Sequence, residues 1–98
     1  MPKSKPRAVL SPNAQANLKR LPGNVRRRMI IALDALEESP RPVHSKQLAI
    51  KDESREIRRL RPDKWRVVYL VLEERPVILA IRKRPPYNYE DLKDLIEE

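Results

Sequence analysis

The sequence predicts an α+β domain: an N-terminal strand, a hairpin of two helices, a three-stranded antiparallel meander with the helices packed on it, and a short C-terminal helix. Three observations lead there. Between Asn24 and Glu38 the apolar residues Val25, Met29, Ala32, Leu33 and Leu36 recur at helical spacing. Two runs rich in Val, Ile, Leu and Tyr, Val67 to Leu72 and Val77 to Ile81, flank the polar link Glu73-Glu74-Arg75-Pro76, the pattern of a strand–turn–strand hairpin. The 98 residues, 40% of them hydrophobic, suffice for one modest core, so residues 1–98 read as a single domain.

In chain order, residues 1 to 6 form a basic lead-in and Arg7 to Leu10 a short strand. Ser11 is placed to cap a first helix with Pro12 at its first position, where a missing N–H costs nothing. Ala14, Leu18 and Leu21 lie on one face of that helix, which Pro22-Gly23-Asn24 breaks. The second helix runs from about Asn24, its expected cap, to Glu38. Its charges oppose the macrodipole, with Arg26, Arg27 and Arg28 near the start and Glu37 and Glu38 at the end. Ser39-Pro40-Arg41-Pro42 ends it, and the next dozen residues show no period and read as loop.

Arg55 to Arg61 follows, with Ile57 and Leu60 its apolar residues. A spacing of three breaks strand alternation, so a bulge is expected there. Pro62-Asp63-Lys64 turns the chain into the next strand, where Trp65, Val67, Tyr69 and Val71 share one face and Arg66, Val68, Leu70 and Leu72 the other. Both hairpin strands are apolar on both faces, as inner strands covered on two sides are. Tyr69, in mid-strand, reads as core. Leu92, Leu95 and Ile96 make the C-terminal helix amphipathic.

The composition narrows the function. The chain has no cysteine and one histidine, His44, so neither a disulfide framework nor a thiolate metal site is available, and no metal or cofactor is expected. No apolar segment approaches a membrane span and the N-terminus has no signal-peptide core, so a soluble cytoplasmic protein without a membrane partner is expected. The net charge of +8 comes from 22 Lys and Arg against 14 acids. Arginines dominate the 55–84 stretch, and their forks match phosphate geometry, which points to nucleic acid. In an antiparallel hairpin Arg66 comes near Arg82 to Arg84, with Tyr87 and Tyr89 at the same end.

These elements, in this order, resemble the RelE/ParE superfamily, the toxins of bacterial type II toxin–antitoxin pairs. The helical hairpin ends in Glu38-Ser39-Pro40, and a Lys-x-Leu-like element follows at Lys46-Gln47-Leu48. An Arg-rich strand leads to Trp65-Arg66-Val67-Val68-Tyr69, and a last apolar strand runs into Arg82-Lys83-Arg84-Pro85-Pro86-Tyr87-Asn88-Tyr89. Where many relatives carry a histidine in or near the last cluster, this chain has Arg82-Lys83-Arg84, and Pro85-Pro86 stands in place of the usual polar link.

The resemblance implies a RelE-like fold and, for RelE-like members, ribosome-dependent cleavage of mRNA by the RNA's own 2′-hydroxyl. Arg66, Arg59 or Arg61, and Arg82 or Arg84 are then the candidates for stabilising the phosphorane charge. Arginine stays protonated, so the acid or base falls to Lys83, Tyr87 or Tyr89. Lys46, Arg58, Arg59, Arg61 and Arg82 are the candidates for holding RNA. Two other functions compete: a ParE-like poison of DNA gyrase without nuclease chemistry, and a non-catalytic basic RNA-binding module. Both toxin readings imply a cognate antitoxin as partner, the first adding the ribosome and mRNA, the second gyrase.

Overall fold

The computed structural model describes residues 8–50, 52–62 and 64–83. The expected C-terminal helix, Arg84, Tyr87 and Tyr89 lie outside the described residues. The elements are β1 (Val9–Leu10), α1 (Pro12–Lys19), α2 (Gly23–Glu38), β2 (Lys46–Leu48), β3 (Glu56–Leu60), β4 (Trp65–Leu72) and β5 (Arg75–Lys83). The sheet has five strands in the order β1-β5-β4-β3-β2, antiparallel except for β1, which runs parallel to β5. The meander therefore has four strands rather than three. The additional one, β2, occupies the stretch read as loop and pairs with β3. None of the described helices is long and apolar enough to cross a membrane.

Both helices lie on one face of the sheet. Ala14, Leu21, Val25, Met29, Leu33 and Leu36 pack with Leu60, Val67, Tyr69, Val71, Ile78 and Ile81 in the main core. On the second face Ile57, Val68, Leu70 and Leu79 form a smaller buried cluster with Leu48, Ile50 and Val77 against it. Two clusters explain the doubly apolar strands.

Helix α1 starts as expected, with Ser11 Oγ accepting from Ala14 N and Pro12 in the first turn. Helix α2 does not: Pro22 occupies its cap position and no side chain, Asn24 included, makes a capping hydrogen bond. Arg26 explains part of the inverted charge order. Its guanidinium donates to the carbonyls of Lys19 and Leu21 at the end of α1 and shares that of Leu18 with the Leu21 N–H.

The ladder between β3 and β4 is regular from Glu56↔Val71 to Leu60↔Val67, so the expected bulge near Ile57 and Leu60 is absent. Their odd spacing has another cause: Ile57 belongs to the second-face cluster and Leu60 to the helix-face core. The irregularity lies instead between β4 and β5. Val68 pairs with Ala80 and Tyr69 with Ile78, which leaves Leu79 as the extra residue of a bulge.

The β4–β5 turn is tighter than the sequence implies. Leu72 pairs with Arg75, so only Glu73 and Glu74 make the loop, with φ of 53° and 61°. Positive φ at both central residues is the type I′ geometry that Asn-Gly satisfies most easily. Glu73→Asn is expected to raise the free energy of unfolding by about 0.5–1 kcal/mol, because asparagine tolerates the left-handed region at lower cost. Urea denaturation at neutral pH measures this.

Arg41, in the link after α2, ties the start of β3 to the β4–β5 turn. Its Nε and Nη2 donate to Glu56 at 2.8 and 2.9 Å, and its Nη1 and Nη2 to Glu74 at 2.7 and 3.0 Å. The Arg41 guanidinium holds both carboxyls below their ordinary value of 4.5. A carboxyl depressed by folding contributes stability that is complete above its unfolded value and is lost as pH falls through the folded one. Stability should therefore decline below about pH 4.5, and Arg41→Ala should flatten that decline. Melting curves of both proteins across pH 3 to 7 test this.

Candidate nucleic-acid interface

The register of the meander gathers cations from four strands on the second face. Arg66 lies directly opposite Arg82, and Lys46 directly opposite Arg59. Arg59 in turn faces Val68, two residues along β4 from Arg66 and on the same face. Lys46, Arg59, Arg66 and Arg82 thus form a diagonal band across β2, β3, β4 and β5, beside the apolar cluster of Ile57, Val68, Leu70 and Leu79. Like charges placed directly opposite each other in a ladder are destabilising.

Side-chain exposure grades across the band. Arg66 is only 2% exposed, Arg59 and Arg82 are half-buried, and Lys46 is exposed. Arg59, Arg66 and Arg82 each take part in a further interaction. Lys83 is exposed and pairs with Trp65 at the end of β5.

The bulge at Leu79 decides which face Arg82 joins. Continued without it, the Tyr69↔Ile78 register would set Ile81 opposite Arg66 and put Arg82 on the helix face. The extra residue shifts the end of β5 by one and delivers Arg82 to the band. Helix α1 secures the bulge. Ser11 Oγ and Asn13 Nδ2 donate to the Leu79 carbonyl at 3.3 and 3.0 Å, and Ile81 N donates to Asn17 Oδ1 at 3.0 Å. These contacts occupy the outer edge of β5 beyond its short pairing with β1. Asn13 and Asn17, four residues apart on one side of α1, were the legible signal, though nothing in their spacing names the strand they serve.

Two of the expected RNA contacts are placed elsewhere. Arg58 pairs with Tyr69 on the helix face, where Nε donates to Ser45 Oγ at 3.0 Å and Nη1 to Glu56 at 2.9 Å. It secures the 41–45 link rather than joining the band. Arg61, just past the end of β3, lines an apolar cavity beside α2. Tyr69 is core as expected: it is fully buried, its hydroxyl donates to the Pro40 carbonyl at 2.7 Å, and burial pushes its phenol pKa up.

With this geometry established, comparison with known proteins identifies the family. The family described as the ParE toxin of type II toxin–antitoxin system, parDE, matches residues 8–85. The chain belongs to the RelE/ParE toxin superfamily. Solved RelE structures share its architecture. A chain of the archaeal RelE–RelB complex from Pyrococcus horikoshii OT3 superposes with a TM-score of 0.71 at 24% identity, over 84% of this chain and 98% of that one. For the Mycobacterium tuberculosis RelBE2 complex the TM-score is 0.70 at 19% identity, over 83% and 100%. For the isolated E. coli RelE toxin it is 0.63 at 20% identity, over 96% and 97%. At these identities the likeness is one of fold. No curated protein sequence matches the chain significantly.

Proposed function

We propose that this RelE/ParE toxin cleaves mRNA on the ribosome, with the second face of the sheet as its RNA site. The observation that carries the reading is the diagonal band Lys46–Arg59–Arg66–Arg82. Four cations on four strands, two of them arginines set opposite each other, suit the successive phosphates of a single strand better than they suit each other.

The chemistry needs no metal or cofactor. A base takes the proton of a ribose 2′-hydroxyl, and the oxygen attacks the adjacent phosphorus. The bond to the 5′-oxygen breaks, and that oxygen takes a proton from an acid, leaving a 2′,3′-cyclic phosphate and a 5′-hydroxyl. Arg66 and Arg82 neutralise the charge that grows on the phosphorane oxygens, while Arg59 and Lys46 hold the flanking backbone. The proton carriers fall to Tyr87 and Tyr89, with Arg84 as a further cation, because the exposed Lys83 shares the Trp65 face rather than that of the band. The reading places the protein in the cytoplasm, with a cognate antitoxin as partner, as RelB is in the matching complexes. The ParE description of the matching family favours a second reading, a poison of DNA gyrase.

Primer extension on translated mRNA from expressing cells tests the proposal. Cuts in register with codons are expected. An uncut transcript, together with inhibition of gyrase supercoiling in vitro, would replace the first reading with the second.

A further inference from the structure

Arg82 reaches the cationic band only because β5 carries an extra residue, and the outer edge of that strand shows what keeps the residue there. Strand β1 pairs with β5 at Val77 and Ile78 alone. Successive carbonyls of a regular strand point to opposite edges. Here two in a row face the start of α1. That of Ile78 accepts from Ser11 N at 3.0 Å, and that of Leu79 from Ser11 Oγ and Asn13 Nδ2 at 3.3 and 3.0 Å. The bulge thus leaves a surplus acceptor in a residue only 3% exposed, and a buried acceptor without a donor is costly.

Two asparagines of α1 meet this need as a neighbouring strand would. A primary amide carries the donor and the acceptor of a peptide unit. Asn13 Nδ2 donates to the Leu79 carbonyl, Asn17 Oδ1 accepts from Ile81 N at 3.0 Å, and Asn13 Nδ2 also donates to Asn17 Oδ1 at 3.3 Å. The two half-buried side chains form one linked unit that grips the backbone on both sides of Ala80 and ends at the residue before Arg82. Helix α1 itself gives little reason for them, since its cap is Ser11 and asparagine is unfavourable within a helix.

We propose that Asn13 and Asn17 are positioning residues of the RNA site, acting through Arg82. By holding the Leu79 carbonyl and the Ile81 N–H they retain the bulge. The bulge keeps Arg82 opposite Arg66 instead of one position out, where it would turn to the helix face. A full slip of register is not required, because a misplacement of about 1 Å at a reacting centre can cost about 10²-fold. The role rests on the ribonuclease reading above, and it lets a helix on one face of the sheet govern chemistry on the other.

The contacts use the donor of Asn13 and the acceptor of Asn17, so aspartate at the two positions should have opposite outcomes. Single-turnover cleavage on purified ribosome complexes, corrected for the folded fraction by a melt of each variant, tests this. Asn17→Asp keeps the acceptor for Ile81 N–H and should cleave within about threefold of the wild type. Asn13→Asp sets a carboxylate against the Leu79 carbonyl, and Asn17→Leu removes the acceptor. Each should lower the cleavage rate per folded molecule by about tenfold or more. Asn17→Ala, which favours the helix, gives the same readout should the leucine variant fail to fold. In an Arg82→Ala background Asn17→Leu or Asn17→Ala should cost nothing further, because the group being positioned is already gone. Rates within twofold of the wild type in both Asn13→Asp and the Asn17 variant, or a loss that adds in full to that of Arg82→Ala, would overturn the positioning role and leave the ribonuclease reading intact. Absence of cleavage by the wild-type chain would remove that reading and this role with it.

Discussion

Alanine at both Arg59 and Arg82 is expected to lower mRNA cleavage on translating ribosomes by at least about 10³-fold, since one preorganised donor at a developing charge is worth about 10²–10³. Both side chains are half-buried and belong to neither apolar cluster, so a melt of the double variant separates lost chemistry from lost folding. Arg66 is the less clean probe, because at 2% exposure its removal also opens space within the fold. For it the informative change is Arg66→Lys, which keeps the charge and discards the planar fork that grips two phosphate oxygens. The matched control is Arg58→Ala. Arg58 is as cationic and only one residue from Arg59, but it serves Ser45 and Glu56 on the other face. That variant should melt earlier yet cleave at the wild-type rate per folded molecule. Single-turnover cleavage on purified ribosome complexes, with a melt of each variant, gives all of these numbers. If the Arg59/Arg82 double variant cuts as fast as the wild type, the site is misassigned.

The contrast between Arg58 and Arg59 marks where the sequence stops being informative. Strand alternation says that the two point opposite ways, but it cannot say which one points at a ligand when both faces of the sheet are apolar. Only the pairing Arg59↔Val68 and Arg58↔Tyr69 decides it. The approach of Arg66 to Arg82 was legible, because a hairpin fixes which ends meet. The means was not. Val77-Ile78-Leu79-Ala80-Ile81 is uniformly apolar, so no polar residue marks the bulged position, whereas the odd spacing of Ile57 and Leu60 imitated a bulge that two separate cores make unnecessary. Strand β2 was invisible for a simpler reason: three residues are too few to show a period, and β3 supplies the partner that holds them extended. The start of helix α1, in contrast, is legible in Ser11-Pro12, since its cap is a local interaction.

The other large effect is expected at Tyr69, and there it should fall on stability alone. Tyr69→Ala removes a fully buried ring from the middle of the helix-face core and should cost about 3–5 kcal/mol. For a domain of this size that lowers the melting temperature by well over ten degrees, at about 4–8 °C per kcal/mol. Tyr69→Phe keeps the ring and removes only the 2.7 Å hydrogen bond to the Pro40 carbonyl, so about 1–2 kcal/mol is expected from an acceptor left without its donor. Cleavage per folded molecule should not change in Tyr69→Phe. The phenol faces the helices with the sheet between it and the cationic band, and burial, by raising its pKa, keeps it protonated and useless as a base. The Phe variant therefore separates the two faces in one measurement. Wild-type cleavage with a lowered melting temperature places the chemistry on the face of Arg59, Arg66 and Arg82, whereas lost cleavage with an unchanged melting temperature would move the active site to the helix side, where the described residues offer no comparable band of cations.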